Sequence, residues 1–128
     1  MKPIVKQTDY SIITNIIQSL PYYKKTKEVE LMLEELKKAY IIPDDDIKAD
    51  IIQMYSRFEV EDVDSKKTFT LSITPPEMAD FKEKKISIFS PLAVGLFGYG
   101  KGMTVEWMLP GGFKKLYIKS VFLQQAVK

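Results

Sequence analysis

The sequence contains no cysteine and no histidine among its 128 residues. Without cysteine, the chain can form neither a disulfide nor a thiolate nucleophile. Without histidine, it lacks the commonest general base and the commonest ligand of transition metals. Serine–histidine triads and the usual zinc sites are therefore excluded, and we expect neither a cofactor nor a bound metal ion.

Long hydrophobic runs are also missing. No segment approaches the ~18 consecutive apolar residues of a membrane helix, and the first residues lack the apolar stretch and the cleavage site of a secretion signal. We therefore expect a cytoplasmic protein that does not contact a membrane. Apolar residues nevertheless make up 45% of the chain, which is enough to build a folded core.

The chain has no large excess of charge of either sign, since its net charge is +2. Residues 41–85 carry 7 basic and 11 acidic groups, whereas residues 86–128 carry 5 basic groups and 1 acidic group. A protein that binds duplex DNA usually shows a stronger basic stripe. We expect no direct sequence-specific contact with nucleic acid.

Apolar periodicity predicts two helices, over residues 8–20 and 27–41. Thr8 or Asp9 is expected to cap the first helix and Thr26 the second. The short link between them predicts an antiparallel hairpin, or short coiled coil, over residues 1–45. Its tip is formed by Tyr22, Tyr23, Lys24 and Lys25.

The tip of this hairpin combines aromatic and basic side chains. Exposed aromatic residues beside lysines can contact a protein partner or nucleic acid. A tip that packs partly on itself is an equally good interpretation. The apolar stripes of the two helices are compatible with a monomer or with a weak homo-oligomer.

Beyond Asp44–Asp46, interpreted as a solvated linker and helix cap, residues 46–128 are predicted to form a second unit of β-strands with one short helix. Alternating patterns predict strands near residues 57–61, 68–73, 86–88, 104–109 and 114–122. Ser90 and Pro91 have the residue types of a helix N-cap and first turn. The fold class is therefore α+β. The predicted core consists of Leu33, Leu36, Phe58, Phe69, Leu71, Ile73, Ile86, Ile88, Leu96, Val105, Trp107, Leu116 and Ile118.

The glycine run Gly98, Gly100 and Gly102 invites comparison with a phosphate-binding loop. Such a loop follows a strand and opens a helix. Here the predicted helix precedes the run and a predicted strand follows it. We therefore interpret the run as a turn.

The segment from Ile86 to Gly98, ISIFSPLAVGLFG, resembles the signature of the Gre transcript-cleavage factors, the GreA/GreB family. Pro110–Gly112 also matches, and the segments Met54–Phe58 and Glu106–Gly112 are more similar to Rnk, a short Gre relative named as regulator of nucleoside diphosphate kinase. The resemblance covers residues 30–122. It implies an FKBP-like C-terminal domain, a twisted antiparallel sheet against one short helix, behind a coiled coil. It also implies docking at the rim of the secondary channel of bacterial RNA polymerase, through Phe89, Ser90, Pro91 and Leu92.

The sequence departs from the Gre pattern at several positions. Val94 replaces a commonly basic residue, Tyr99 a lysine and Met103 an aspartate. Gre factors also have a longer coiled coil, with an acidic tip that holds a catalytic magnesium ion. The predicted arms here are only ~20 Å long at 1.5 Å per residue, and the tip has no carboxylate.

These departures favour a transcription regulator that binds RNA polymerase without stimulating transcript cleavage, and not an enzyme. Two alternatives stay open. The same scaffold can serve as an adaptor for another protein, such as a nucleotide enzyme. FKBP-like folds also include peptidyl-prolyl isomerases, although fold alone does not carry function.

Overall fold

The computed structural model describes residues 2–122 and has an α+β fold with three α-helices and two sheets. The helices are α1 (Gln7–Ser19), α2 (Lys27–Lys38) and α3 (Pro91–Leu96). The strands are β1 (Ile4–Lys6), β2 (Tyr40–Ile42), β3 (Arg57–Asp62), β4 (Thr68–Thr74), β5 (Lys85–Ser87), β6 (Thr104–Leu109) and β7 (Gly112–Phe122). The predicted helices and the five predicted strands are confirmed, whereas β1 and β2 were not expected.

The N-terminus of α1 is capped differently from the prediction. The carboxylate of Asp44, distant in sequence, accepts hydrogen bonds from the backbone N–H of Thr8 (3.0 Å) and from its hydroxyl. These bonds hold the pKa of Asp44 below its usual value. Asp9 is buried instead of capping the helix. At α2 the predicted cap is confirmed, because Thr26 Oγ1 accepts from the backbone N–H of Val29.

The second helix ends three residues earlier than predicted. Residues 40–42 are extended and pair in parallel with β1, so that both ends of the helical segment are tied together. β-branched Ile41 and Ile42 precede Pro43, and this sequence disfavours a helix. The buried residues of α1 and α2 belong to the same core as those of the main sheet. The coiled-coil description of these helices stays a prediction.

The main sheet is mixed and has the strand order β5-β4-β3-β7-β6. The expectation of a purely antiparallel sheet is wrong at one edge, because β5 runs parallel to β4. The segment between them contains two 3-10 turns. A connection of this length brings the chain back beside Ser72–Thr74 in the same direction as β4, whereas a tight hairpin would have reversed it.

One face of the sheet is packed against the helices and forms most of the core. Of the predicted core residues, Phe69 is exposed (44%), because it is the second residue of β4 and only the later residues of this strand are buried. Leu33, Ile86 and Trp107 are half-buried. The remaining predictions are confirmed by burial: Leu36, Phe58, Leu71, Ile73, Ile88, Leu96, Val105, Leu116 and Ile118. Within residues 2–122, no helix has the length and apolar character needed to cross a membrane.

Residues 47–54, whose conformation could not be predicted from the sequence, connect the helical segment to the sheet through buried polar groups. The side-chain amide of Gln53 donates to the backbone carbonyl of Ile4 (2.7 Å) and accepts from the N–H of Lys6 (2.9 Å). The Asp9 carboxylate accepts from the N–H of Met54 at 2.7 Å. The division into domains 1–45 and 46–128 stays a prediction, and residues 123–128 lie outside the described chain.

Burial makes Asp9 a source of pH-dependent stability. Desolvation raises the pKa of Asp9 from 3.8 to about 6, although the Met54 N–H and the Lys6 ammonium lower it; Asp44 raises it further. The folded state therefore binds more protons than the unfolded state between about pH 4 and pH 6. The stability contributed by protonated Asp9 is about 3 kcal/mol well below pH 4, and it is lost as pH rises through the folded-state pKa toward pH 7.

We expect Asp9→Asn to remove this pH dependence, because the amide oxygen can still accept from Met54 without carrying a charge. The difference in unfolding free energy between Asp9→Asn and the unsubstituted protein should rise by about 2.4 kcal/mol between pH 4 and pH 7. Urea unfolding followed by circular dichroism at several pH values measures this difference. A difference that stays constant across this range would contradict the assignment.

Candidate docking surface

The turn that contains Phe89–Leu92 is built by local hydrogen bonds. Ser90 Oγ donates to the carbonyl of Ser87 (2.8 Å) and accepts from the N–H of Ala93 (3.3 Å), which confirms Ser90 as the N-cap of α3. Ser87 Oγ accepts from the N–H of Phe89 at 3.0 Å. Phe89, Ser90, Pro91 and Leu92 are all half-buried, so each presents part of its surface to solvent. The Ser90 hydroxyl is used for capping, and a substitution there would disturb the helix as well as any contact.

Helix α3 lies unusually close to β6 because of one glycine. A Cβ atom added to Gly95 would lie 2.6 Å from Cγ of Trp107 and 2.7 Å from Cδ1. The indole ring therefore packs directly on the helix backbone, and only glycine leaves room for it. This contact fixes the turn at Phe89–Leu92 relative to the sheet.

An open cleft of about 580 Å³ lies beside this turn. Its walls come from the start of α2, from α3 and from the β6–β7 hairpin; Met108 and Phe113 on the hairpin are largely exposed. The lining residues are Lys27, Glu28, Leu31, Pro91, Val94, Glu106, Trp107, Met108, Leu109, Pro110 and Phe113. The sequence interpretation placed Trp107 in the core and did not predict this concave apolar site.

The hairpin tip is fully open to solvent. Tyr22 and Tyr23 are 92% and 80% exposed within a 3-10 turn, and Lys24 and Lys25 are exposed beside them. The tip therefore does not pack on itself. Its four residues do not line the cleft, but the first turn of α2, which follows them, forms one of the cleft walls.

Two of the three positions that depart from the Gre pattern are buried. Val94 is fully buried, and the Tyr99 hydroxyl donates to Glu35 on α2 at 3.3 Å. Burial, followed by the charge of Glu35, raises the pKa of Tyr99 to about 12. The Met103 sulfur accepts from the N–H of Gly100. Tyr99 therefore helps to hold α2 against the loop that follows α3.

The glycine run forms a turn, and the aspartate cluster forms a turn that caps a helix. Gly98 and Gly102 adopt positive φ angles in the connection between α3 and β6, which confirms the turn interpretation. Asp44–Asp46 form a 3-10 turn in which Asp44 caps α1. Among residues 2–122, no group of three or more acidic side chains is placed to hold a metal ion.

The sequence matches a family of known proteins over its C-terminal part. The family described as "Transcription elongation factor, GreA/GreB, C-term" matches residues 47–122, more than half of the chain. GreA of Rhodopseudomonas palustris strain BisA53 is 36% identical over 88 residues, which cover 69% of this chain and 55% of that protein. GreA of Alkaliphilus oremlandii is 29% identical over 94% of this chain and 80% of its own length. The chain thus spans only about half the length of the first of these relatives.

Solved structures share the fold. The GreA/GreB elongation factor from Nitrosomonas europaea superposes with a TM-score of 0.76 at 23% identity, covering 96% of this chain and 99% of that one. GreA factor homolog 1 of Thermus thermophilus superposes with a TM-score of 0.52 at 16% identity, covering 96% and 100%. At these identities the likeness concerns the fold.

Proposed function

This chain belongs to the GreA/GreB family of transcription elongation factors, and on that basis we propose that it binds bacterial RNA polymerase near the secondary channel. The proposed docking surface consists of Phe89–Leu92 together with Met108 and Phe113 on the cleft wall. The observation that carries the proposal is the position of this turn beside an open apolar cleft. A segment of the partner protein bound in the cleft would contact the cleft wall and the turn at Phe89–Leu92 at the same time.

The composition of this surface suits a protein partner. Its centre is apolar and contains aromatic and methionine side chains, whereas Lys27, Glu28 and Glu106 supply charges around it. Protein interfaces are typically built in this way, with aromatic and methionine anchors inside a polar rim.

We further propose that binding does not stimulate transcript cleavage. Helix α1 has 13 residues, so the hairpin arm is only ~20 Å long at 1.5 Å per residue. The tip offers tyrosines and lysines, which are not ligands for magnesium. The protein would then act in the cytoplasm as a regulator and not as an enzyme, competing with other factors that enter the channel. We also propose that the chain is more closely related to Rnk than to the long Gre factors, and that it is a monomer or a weak homo-oligomer.

Docking is tested by a matched pair of methionine substitutions. Met108→Ser removes an exposed apolar side chain from the proposed surface, and Met78→Ser removes one from a loop outside the cleft. We expect Met108→Ser to weaken binding to polymerase core enzyme by roughly tenfold, as for an interface hot spot, and Met78→Ser to leave it unchanged. Equal effects of the two substitutions would place the contact elsewhere.

Cleavage is tested on stalled elongation complexes, with a full-length GreA as the positive control. We expect this chain to leave the cleavage rate at its intrinsic level and to reduce stimulation by GreA when in excess. Strong stimulation by the chain alone would contradict the proposal. If no polymerase binds, a dominant different partner in a pull-down would support the adaptor alternative, and turnover of a proline peptide would support the isomerase alternative.

A further inference from the structure

The face of the main sheet opposite α3 carries a row of polar and basic side chains. Strand register places Lys85, Ser72, Arg57 and Phe122 side by side across β5, β4, β3 and β7. Neighbouring strands lie about 4.8 Å apart, so two cationic residues flank one hydroxyl within about 10 Å. Trp107 and Gly95 lie on the other side of the sheet, so this row is separate from the proposed docking surface.

The basic residues of this row, and Lys84 next to it, form no ion pair within the part of the chain that the structure describes. Within residues 2–122, no carboxylate lies within 4.0 Å of the charged groups of Arg57, Lys84 or Lys85. In the same part of the chain, no protein group forms a hydrogen bond with the hydroxyls of Thr68 and Thr70, which precede Ser72 on the same face of β4. The face thus presents cations and hydroxyl donors together, which is the chemistry that recognises phosphate.

A cleft of about 480 Å³ is lined by these groups, by the aromatic side chain of Phe81 and by one acidic residue, Glu83, so that three cationic residues outnumber one carboxylate. Phe81 is 87% exposed at its edge, on the loop that leads into β5. The backbone carbonyl of Lys84 accepts from the N–H of Ser72 at 2.9 Å, so the loop is fixed against β4. The volume lies within the range of small-molecule sites, about 300–1,000 Å³. An exposed ring beside a phosphate-type site can stack on a nucleobase.

We propose that this cleft binds a small nucleoside phosphate. The phosphate lies between Arg57, Lys84 and Lys85, and the base stacks on Phe81. The charge pattern favours a small ligand over a nucleic-acid strand. Glu59 and Glu61 pair with Thr70 and Thr68 in the adjacent rows, where they would repel an extended polyanion. This proposal is independent of polymerase binding, so either can fail without the other.

Titration of the full chain with GDP, followed by amide NMR shifts, tests the proposal. We expect saturable shifts confined to Arg57 and to residues 68–72 and 81–85, and weaker binding of both inorganic pyrophosphate and a short single-stranded RNA. Arg57→Gln and Lys85→Gln should each weaken GDP binding by roughly tenfold, as expected for a charged hydrogen bond. Phe81→Ala should weaken binding of GDP but not of pyrophosphate.

Lys101→Gln is the matched control, because Lys101 is an exposed lysine outside the cleft. This substitution should leave GDP affinity unchanged. The amide spectrum of each variant verifies that it is folded. The absence of shifts at about 5 mM GDP, well above the millimolar affinity of a weak ligand, would overturn the proposal. So would pyrophosphate or RNA binding as tight as GDP binding, or an affinity unaffected by Arg57→Gln and Lys85→Gln.

Discussion

Replacement of Gly98 with alanine is expected to lower the free energy of unfolding by about 3 kcal/mol, of which the backbone contributes about 1 and steric overlap about 2. Gly98 has a φ of +88°, a conformation that disfavours a side chain. A Cβ at this position would lie 2.4 Å from Cβ of Pro3 and 3.0 Å from the backbone nitrogen of Ile4. The same residue donates to the carbonyl of Ile52 and accepts from the N–H of Ile4, so the backbone has little freedom to move away.

Gly102 provides a control that separates these two contributions. Its φ is +87°, but an added Cβ would meet no atom within 4 Å. Gly102→Ala should therefore cost only the backbone part, about 1 kcal/mol. Urea unfolding of both variants measures the difference. Equal losses at the two positions would show that the contact with Pro3 and Ile4 is not tight, and that β1 is not fixed against this turn.

The second large effect is expected at Gly95, where alanine would collide with the indole of Trp107. All three nearest atoms belong to the rigid ring and lie within 2.6–2.9 Å of the added Cβ. Because the ring projects from β6 and packs directly on the backbone of α3, we expect Gly95→Ala to cost about 2–3 kcal/mol. Trp107 is the only tryptophan in the chain, so its fluorescence reports the displacement directly.

Gly111→Ala is the matched control for Gly95→Ala. A Cβ added to Gly111 would have no atom within 4 Å, and the φ angle of Gly111 is not in the left-handed region. Gly111→Ala should leave both stability and fluorescence unchanged. Gly95→Ala should also weaken polymerase binding, because it moves α3 and the turn at Phe89–Leu92. An unshifted emission maximum together with unchanged stability would contradict the packing of Trp107 on α3.

Elements defined by local signals could be predicted from the sequence. Thr26 and Ser90 are N-caps because their side chains bond to backbone groups three residues away, and such contacts depend only on neighbouring residues. The missed elements depend on distant partners. Strands β1 and β2 have three residues each and exist only because they pair with each other. The direction of β5 depends on the path of the preceding loop.

The candidate site could be predicted only in part, for the same reason. The turn at Phe89–Leu92 lies in one continuous motif, so resemblance was sufficient to find it. The adjacent cleft combines residues from three separate stretches, 27–31, 91–94 and 106–113, which no local pattern connects. The buried hydrogen bonds of Gln53 and Asp9 could not be predicted, because the sequence around a polar residue does not indicate a hydrogen-bond partner that is distant in the chain.

Polymerase docking is tested most directly by binding of the purified chain to bacterial RNA polymerase core enzyme, with full-length GreA as a competitor. We predict binding with an affinity of about 1 µM or tighter, as for a specific protein complex, and complete displacement by GreA. Displacement would show that both proteins use the same site. No binding at micromolar concentration, or binding that persists in saturating GreA, would contradict docking near the secondary channel.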